Sequence, residues 1–112
     1  QIGAGGEWDK DVFAQKVAKV KSTQAAYKAY DDGVKALQAK DTVKATALAK
    51  QAIKAEPREA HFQELLGDIA LTEKKPQEAL AYYDKAIKLQ PDYFKPHVQS
   101  GIALFRYAAL RL

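Results

Sequence analysis

Residues 52–57 read AIKAEP and residues 86–91 read AIKLQP, nearly the same phrase 34 residues apart. A fixed period of this length constrains the chain more than any other feature. It marks a supersecondary unit that buries its apolar face by stacking on its neighbours rather than by folding alone. A shift of 34 also superimposes Gly33, Gly67 and Gly101, Ala45 and Ala79, Ala52 and Ala86, and Pro57 and Pro91. Leu37, Leu71 and Phe105 fall in the same column.

Each period reads as two helices. Ala26, Tyr27, Tyr30, Val34 and Leu37 recur at helical spacing, which predicts a helix over 23–39. Lys40-Asp41 is a short turn, and the Asp41 carboxylate is suited to accept the free amides of a helix over 42–55. Pro57 stands just past its end. The second period predicts helices over 58–72 and 76–89, with Pro76 at a first helical position and Pro91 after the stop. A third first-helix is expected over 93–110, with Pro96 in its first turn. Gly33 and Gly67 are poor helix-interior residues, each about 1 kcal/mol worse than alanine. Their presence predicts a close approach from the partner helix, with Ala45 and Ala79 facing them.

The pattern Leu66-Gly67, Ala79, Tyr83, Ala86, Pro91 over one period resembles the tetratricopeptide repeat, and the likeness extends over about residues 24–112. Repeat 1 departs from it, with Asp32 in place of leucine and Ala49 in place of an aromatic. The resemblance implies an all-α fold, an α-α superhelical solenoid of helix pairs with an extra N-terminal helix. The divisions expected are 8–22 for the N-terminal capping helix, 23–57 for repeat 1, 58–91 for repeat 2 and 92–112 for the first helix of repeat 3. Residues 1–7 are expected to be a flexible lead-in or tag remnant. In the N-terminal segment Trp8, Val12, Phe13, Val17 and Val20 share a helical face, with Ser22-Thr23 either a joint or helix throughout. The run from Ala29 to Phe105 is also similar to the C-terminal repeat region of bacterial HExxH zinc metallopeptidases. That resemblance implies a periplasmic or cell-envelope setting. Without it the cytoplasm is the default. Neither His61 nor His97 begins an HExxH motif, so the expectation for this chain is no catalysis, no metal and no cofactor.

The resemblance implies a concave face lined by first helices, and it assigns partner-binding positions there. Tyr27, Tyr30, Val34 and Gln38 come from the first pair, and His61, Glu64, Asp68 and Thr72 from the second. Lys95, Val98, Ile102 and Arg106 come from the third helix of this kind. Tyr30, Val34 and Glu64 occupy positions where a carboxylate clamp would need lysine, asparagine or arginine, so binding of chaperone C-termini is not expected. Glu64 and Asp68 stand four apart, where like charges repel weakly. Two readings stay open: Lys95, His61 or water satisfies them, or they form an acidic spot for a basic group of a partner. General acid–base chemistry lacks any companion group.

The net charge of +4 comes from lysines interleaved with acids, with arginine only at 58, 106 and 111. A solvated helical surface accounts for that pattern better than a nucleic-acid face, and nucleic acid is not an expected partner. No apolar run approaches the ~20 residues of a membrane span. The final stretch IALFRYAALRL is apolar nearly all round, where a terminal solenoid helix should show a polar face. Either a partner helix follows in the parent fold or this surface meets another molecule. Self-association through Phe105, Tyr107, Leu110 and Leu112, giving a homodimer, is the alternative to groove binding.

Overall fold

The computed structural model describes residues 10–111. Two turns, one period apart, set its architecture. Lys40 and Lys74 both adopt left-handed backbone, with φ of 66° and 62°. In the first turn Lys40 N–H donates to the Leu37 carbonyl and Asp41 N–H to the Ala36 carbonyl, both at 2.9 Å. Lys74 and Lys75 repeat this pairing with Leu71 and Ala70 at 3.0 and 2.8 Å. Each turn thereby satisfies carbonyls that a helix end leaves without partners.

The helices are α1 (Lys10–Gln38), α2 (Thr42–Ala55), α3 (Ala60–Thr72), α4 (Pro76–Leu89) and α5 (Lys95–Arg111). Among the described residues there is no strand. Asp41 caps α2 by accepting from Lys44 N–H at 3.1 Å. Pro76 opens α4, where a missing amide costs nothing. The pairs α1–α2 and α3–α4 stack along an elongated body of 71 × 27 × 16 Å. The segment expected as an extra N-terminal helix is helical from Lys10 and runs through Ser22-Thr23 without a break. It is continuous with the first helix of repeat 1. Lys19 anchors it to the end of α2 through Glu56 at 2.8 Å, and the Thr23 hydroxyl donates to the same carboxylate at 2.7 Å. Trp8, residues 1–7, Leu112 and the Leu110 side chain lie outside the described residues.

α3 is the keystone. Phe62 packs with Ala26, Ala29 and Ala52; Leu65, Leu66 and Ile69 with Ala36, Ala45 and Ala49; Leu71 with Ala79, Tyr83 and Ala103. Each of its large apolar side chains contributes roughly 1.5–3 kcal/mol through burial. The two interior glycines have different neighbours. A Cβ on Gly33 would lie 3.2 Å from Leu65 Cδ2 and 3.5 Å from the Ala45 carbonyl oxygen, so α2 does press on it. At Gly67 the Tyr83 ring comes nearest, and its Cδ1 would lie 2.6 Å from the added atom. Repeat 1 carries Ala49 at the corresponding position, and Leu48 and Leu65 fill the space that the missing ring leaves.

Candidate partner-binding surface

The first helices α1, α3 and α5 bring the twelve expected groove positions onto three neighbouring elements, but not equally to solvent. Gln38, Thr72, Lys95, Val98, Ile102 and Arg106 are exposed, as is Tyr27. Tyr30, Val34, His61 and Asp68 are half-buried. Glu64 is only 1% exposed, the one charged side chain in the core of the described residues. Of the two readings left open for Glu64 and Asp68, an open acidic spot does not hold for Glu64, and its placing among exposed groove positions is corrected: the carboxylate lies beneath the surface, beside Lys95.

What covers Glu64 is the connection between α4 and α5. Pro91 stops α4, and the chain then turns so that Tyr93 lies over α3. Its hydroxyl donates to Glu64 Oε1 at 3.3 Å, and its ring stacks on His61 with centroids 4.3 Å apart. Lys95 Nζ stands 3.2 Å from Glu64 Oε2, although that oxygen has no aligned hydrogen bond. The same ammonium lies 3.9 Å from Asp68 Oδ2. Asp68 Oδ1 accepts from the Tyr83 hydroxyl at 2.6 Å and from Gln99 Nε2 at 3.0 Å. The two carboxylates are thus held internally by side chains from α4, α5 and the loop between them, with Lys95 as their cation.

The electrostatics follow from this packing. Burial, reinforced by the Asp68 carboxylate, pushes the Glu64 carboxyl up to about 8. Burial works against the Lys95 ammonium, but Glu64 and Asp68 outweigh it and hold its pKa above the ordinary value. The other end of the face is organised by Glu59, which caps α3 by accepting from His61 N–H at 3.3 Å. His61 Nδ1 lies 2.6 Å from the same carboxylate, and the Tyr27 hydroxyl donates to it. That bond to Glu59 is the main reason the Tyr27 phenol is pushed up to about 12. Burial raises the Glu59 carboxyl, yet hydrogen bonds from Tyr27 and His61 prevail and hold it below the usual range. Tyr27 and Tyr30 both pack on Phe62, with centroids 5.2 and 5.4 Å apart. Tyr27 packs one edge on Phe62, and 39% of the residue stays exposed.

Glu59, Tyr93 and Gln99 belong to this face and were not among the expected positions. A signal for two of them was in the sequence: Glu59 and Tyr93 are one period apart. Each occupies the approach to a first helix and reaches back over the one before it. Among the described residues no group of three or more His, Cys, Asp or Glu is arranged to hold a metal ion. No described helix is long and apolar enough to cross a membrane.

The period, the paired helices and the recurrent turns agree with a direct comparison. A family model of the tetratricopeptide repeat matches residues 30–94, more than half of the chain. The chain belongs to the tetratricopeptide repeat family. No curated protein matches it. The matched region of the tetratricopeptide fold contains both turns and ends at Phe94, the residue before α5. Members of this family typically bind proteins or peptides and are generally not catalysts.

Proposed function

We propose that this chain is a protein-binding module that holds a segment of a partner along the face formed by α1, α3 and α5. One observation carries the reading. The face combines exposed apolar and aromatic side chains at Tyr27, Val98 and Ile102 with a rigid polar centre at Glu64, Asp68 and Lys95. Fixed polar groups set register, while exposed apolar groups supply contact area. Because burial pushes the Glu64 carboxyl up to about 8 and Lys95 faces both acids, a partner near neutral pH meets a centre close to neutral rather than an open acidic spot. The role of the positions named above is as a surface of contact and not of chemistry.

Peptide display on the immobilised chain tests this. Selected peptides should lose binding to the Thr72→Arg and Tyr27→Ala variants and keep it for Val43→Glu, a change on the exposed side of α2. Peptides that bind all four proteins alike would remove the groove from consideration. The resemblance to metallopeptidase tails supports a finer setting, in which the module recruits substrates or assembly partners to an envelope zinc peptidase. An HExxH helix encoded upstream of Gln1 would support that setting, and a parent gene without one would remove it.

Self-association through α5 is the second reading, favoured by the exposure of Phe105 at 75%. Light scattering separates it from the first: a monomer at high concentration, with the groove still binding peptide, leaves no place for the dimer.

A further inference from the structure

α2 and α4 hold the same place in successive repeats and present the same columns to solvent. The exposed residues of α2 are Val43, Lys44, Ala47, Lys50, Gln51 and Lys54. At helical spacing they fall within an arc of about 120°. Their counterparts one period on in α4 are Gln77, Glu78, Ala81, Asp84, Lys85 and Lys88, and all are exposed as well. The charges differ. On α4 the two lysines have partners: Lys88 pairs with Asp84 at 3.0 Å, and Lys85 Nζ lies 5.7 Å from the centre of the Tyr82 ring. On α2 lysine replaces both acids, at 44 and 50, and the helix contains no aspartate or glutamate.

This arrangement works against the helix that carries it. Lys44 stands in the first turn of α2, where the helix dipole favours an acid, and α4 has Glu78 at that place. Lys50 and Lys54 are four apart, where like charges repel and where α4 has its Asp84–Lys88 pair. Among the described residues none of the three α2 lysines finds an ion pair, and neither does Lys40, exposed in the turn just before the helix. The acids that flank α2 are engaged elsewhere: Asp41 caps the helix, and Glu56 is held by Lys19 and Thr23. A local cost with no compensating contact inside the fold points to a contact outside it.

The chemistry of the arc selects its occupant. Unlike α5, α2 has a packed helix on either side, α1 and α3, and they leave this arc bare. Interfaces between proteins, and between parts of one chain, favour aromatic residues, arginine and large apolar groups and are poor in lysine. α3 shows the pattern, with Phe62, Leu65, Leu66 and Ile69 at its contacts. The arc has none of these groups, and its apolar members are Val43 and Ala47. A further segment of the same chain and a folded partner are therefore poor matches for it. Nucleic-acid faces use arginine forks and stacking rings, and the arc has neither. Point charges on a shallow convex strip suit a plane of anionic head groups, where each lysine near the surface adds attraction without a shaped pocket. Lys44 and Lys54 stand about 15 Å apart along the helix axis. We propose that the outer arc of α2 docks the chain on an anionic lipid bilayer, without insertion, through Lys44, Lys50 and Lys54 with Lys40 beside them.

The test is sedimentation of the 112-residue chain with vesicles, one set of phosphatidylcholine alone and one of equal parts phosphatidylcholine and phosphatidylserine. The chain should bind the anionic set, ignore the neutral one, and be released as salt rises from ~0.05 to ~0.5 M. Lys44→Glu with Lys50→Asp installs the residues of α4, so the helix should remain and the urea midpoint should hold or rise. That variant should lose vesicle binding at least ~25-fold, about five-fold for each lysine. Lys74→Glu with Arg106→Glu changes the net charge equally at other sites and should keep most of the binding. Tyr27→Ala, in the groove of the preceding section, should leave it unchanged, so this proposal and the groove reading fail separately. No binding to the anionic set, equal binding to both sets, or equal losses in the two double variants would overturn the proposal. Tighter binding of a DNA duplex or of polyglutamate than of the anionic vesicles would assign the arc to nucleic acid or to an acidic protein. Lys44, Lys50 and Lys54 shielded from amine-reactive labelling in a longer form of the chain, without vesicles, would assign it to the chain's own continuation. Either result also overturns the proposal.

Discussion

α3 and α5 hold the same place in successive repeats, and their surroundings are opposite. α3 lies between two pairs, and nine of its thirteen residues are buried, a glutamate included. Among the described side chains of α5 only Pro96 and Ala103 are buried. The residue types do not explain this, since both helices carry large apolar side chains beside an interior glycine. Neighbours do. In a stacked fold a helix acquires its core from the elements on either side, so the same register yields a keystone in one repeat and an open strip in the next. Stability and recognition accordingly separate along the chain.

The largest effect expected from this contrast comes from deleting matched aromatics. Tyr83 is fully buried against Gly67 and donates to Asp68. Tyr83→Ala should cost about 3–5 kcal/mol in urea unfolding. Phe105→Ala, on the open strip, should stay within about 0.5 kcal/mol. Equal costs would mean that α5 is covered in solution and would break the comparison. The glycines sharpen it with a change of sign. Gly67→Ala drives a Cβ into the Tyr83 ring and should destabilise by about 1–3 kcal/mol. Gly101→Ala meets open space and should stabilise by up to about 1 kcal/mol, the intrinsic helical advantage of alanine.

A second consequence of burial in α3 is a dependence on pH. The Glu64 carboxyl is raised from 4.5 to about 8 in the folded protein. The folded state therefore keeps a proton that the unfolded chain releases. Its contribution is fully present below about pH 4.5 and is lost as pH rises through about 8. Glu64→Gln keeps an acceptor for the Tyr93 hydroxyl and has no charge to bury. Urea midpoints from pH 5 to 9 should fall for the parent chain and stay flatter for the variant, which should lead by at least about 1 kcal/mol at pH 9. Parallel curves would show that the Lys95 ammonium fully compensates the buried charge.

The repeat arithmetic made most of the architecture readable. α2 and α4 begin and end where Asp41, Pro57, Pro76 and Pro91 punctuate the chain, because capping and proline geometry act within a few residues. The groove was less readable, for a definite reason. Helical spacing reports which way a residue points from its own axis. It carries no information about a loop from the next repeat, and Tyr93 arrives from 29 residues along the chain to close over Glu64. Ser22-Thr23 was ambiguous for a related reason. Serine and threonine stop a helix or continue it according to whether a hydroxyl finds a partner. Here Thr23 finds the Lys19 carbonyl and Glu56.

That junction supplies the smallest effect and a contrast with α5 at the opposite end. α1 and α5 are the first and last helices of the described residues, but the outer part of α1 is tied to α2 through the charged contact of Lys19 with Glu56. The Lys19 side chain is 68% exposed, so water and salt screen most of the attraction. Lys19→Ala should leave the global urea midpoint in place. It should speed amide hydrogen exchange around residues 15–23 by roughly two- to five-fold, and added salt should do the same to the parent chain. The Thr23 hydroxyl still reaches Glu56 in that variant, so the helix should remain continuous across Ser22-Thr23. A break in helicity there would show that the ion pair, rather than helix propagation from the first repeat, carries the extension.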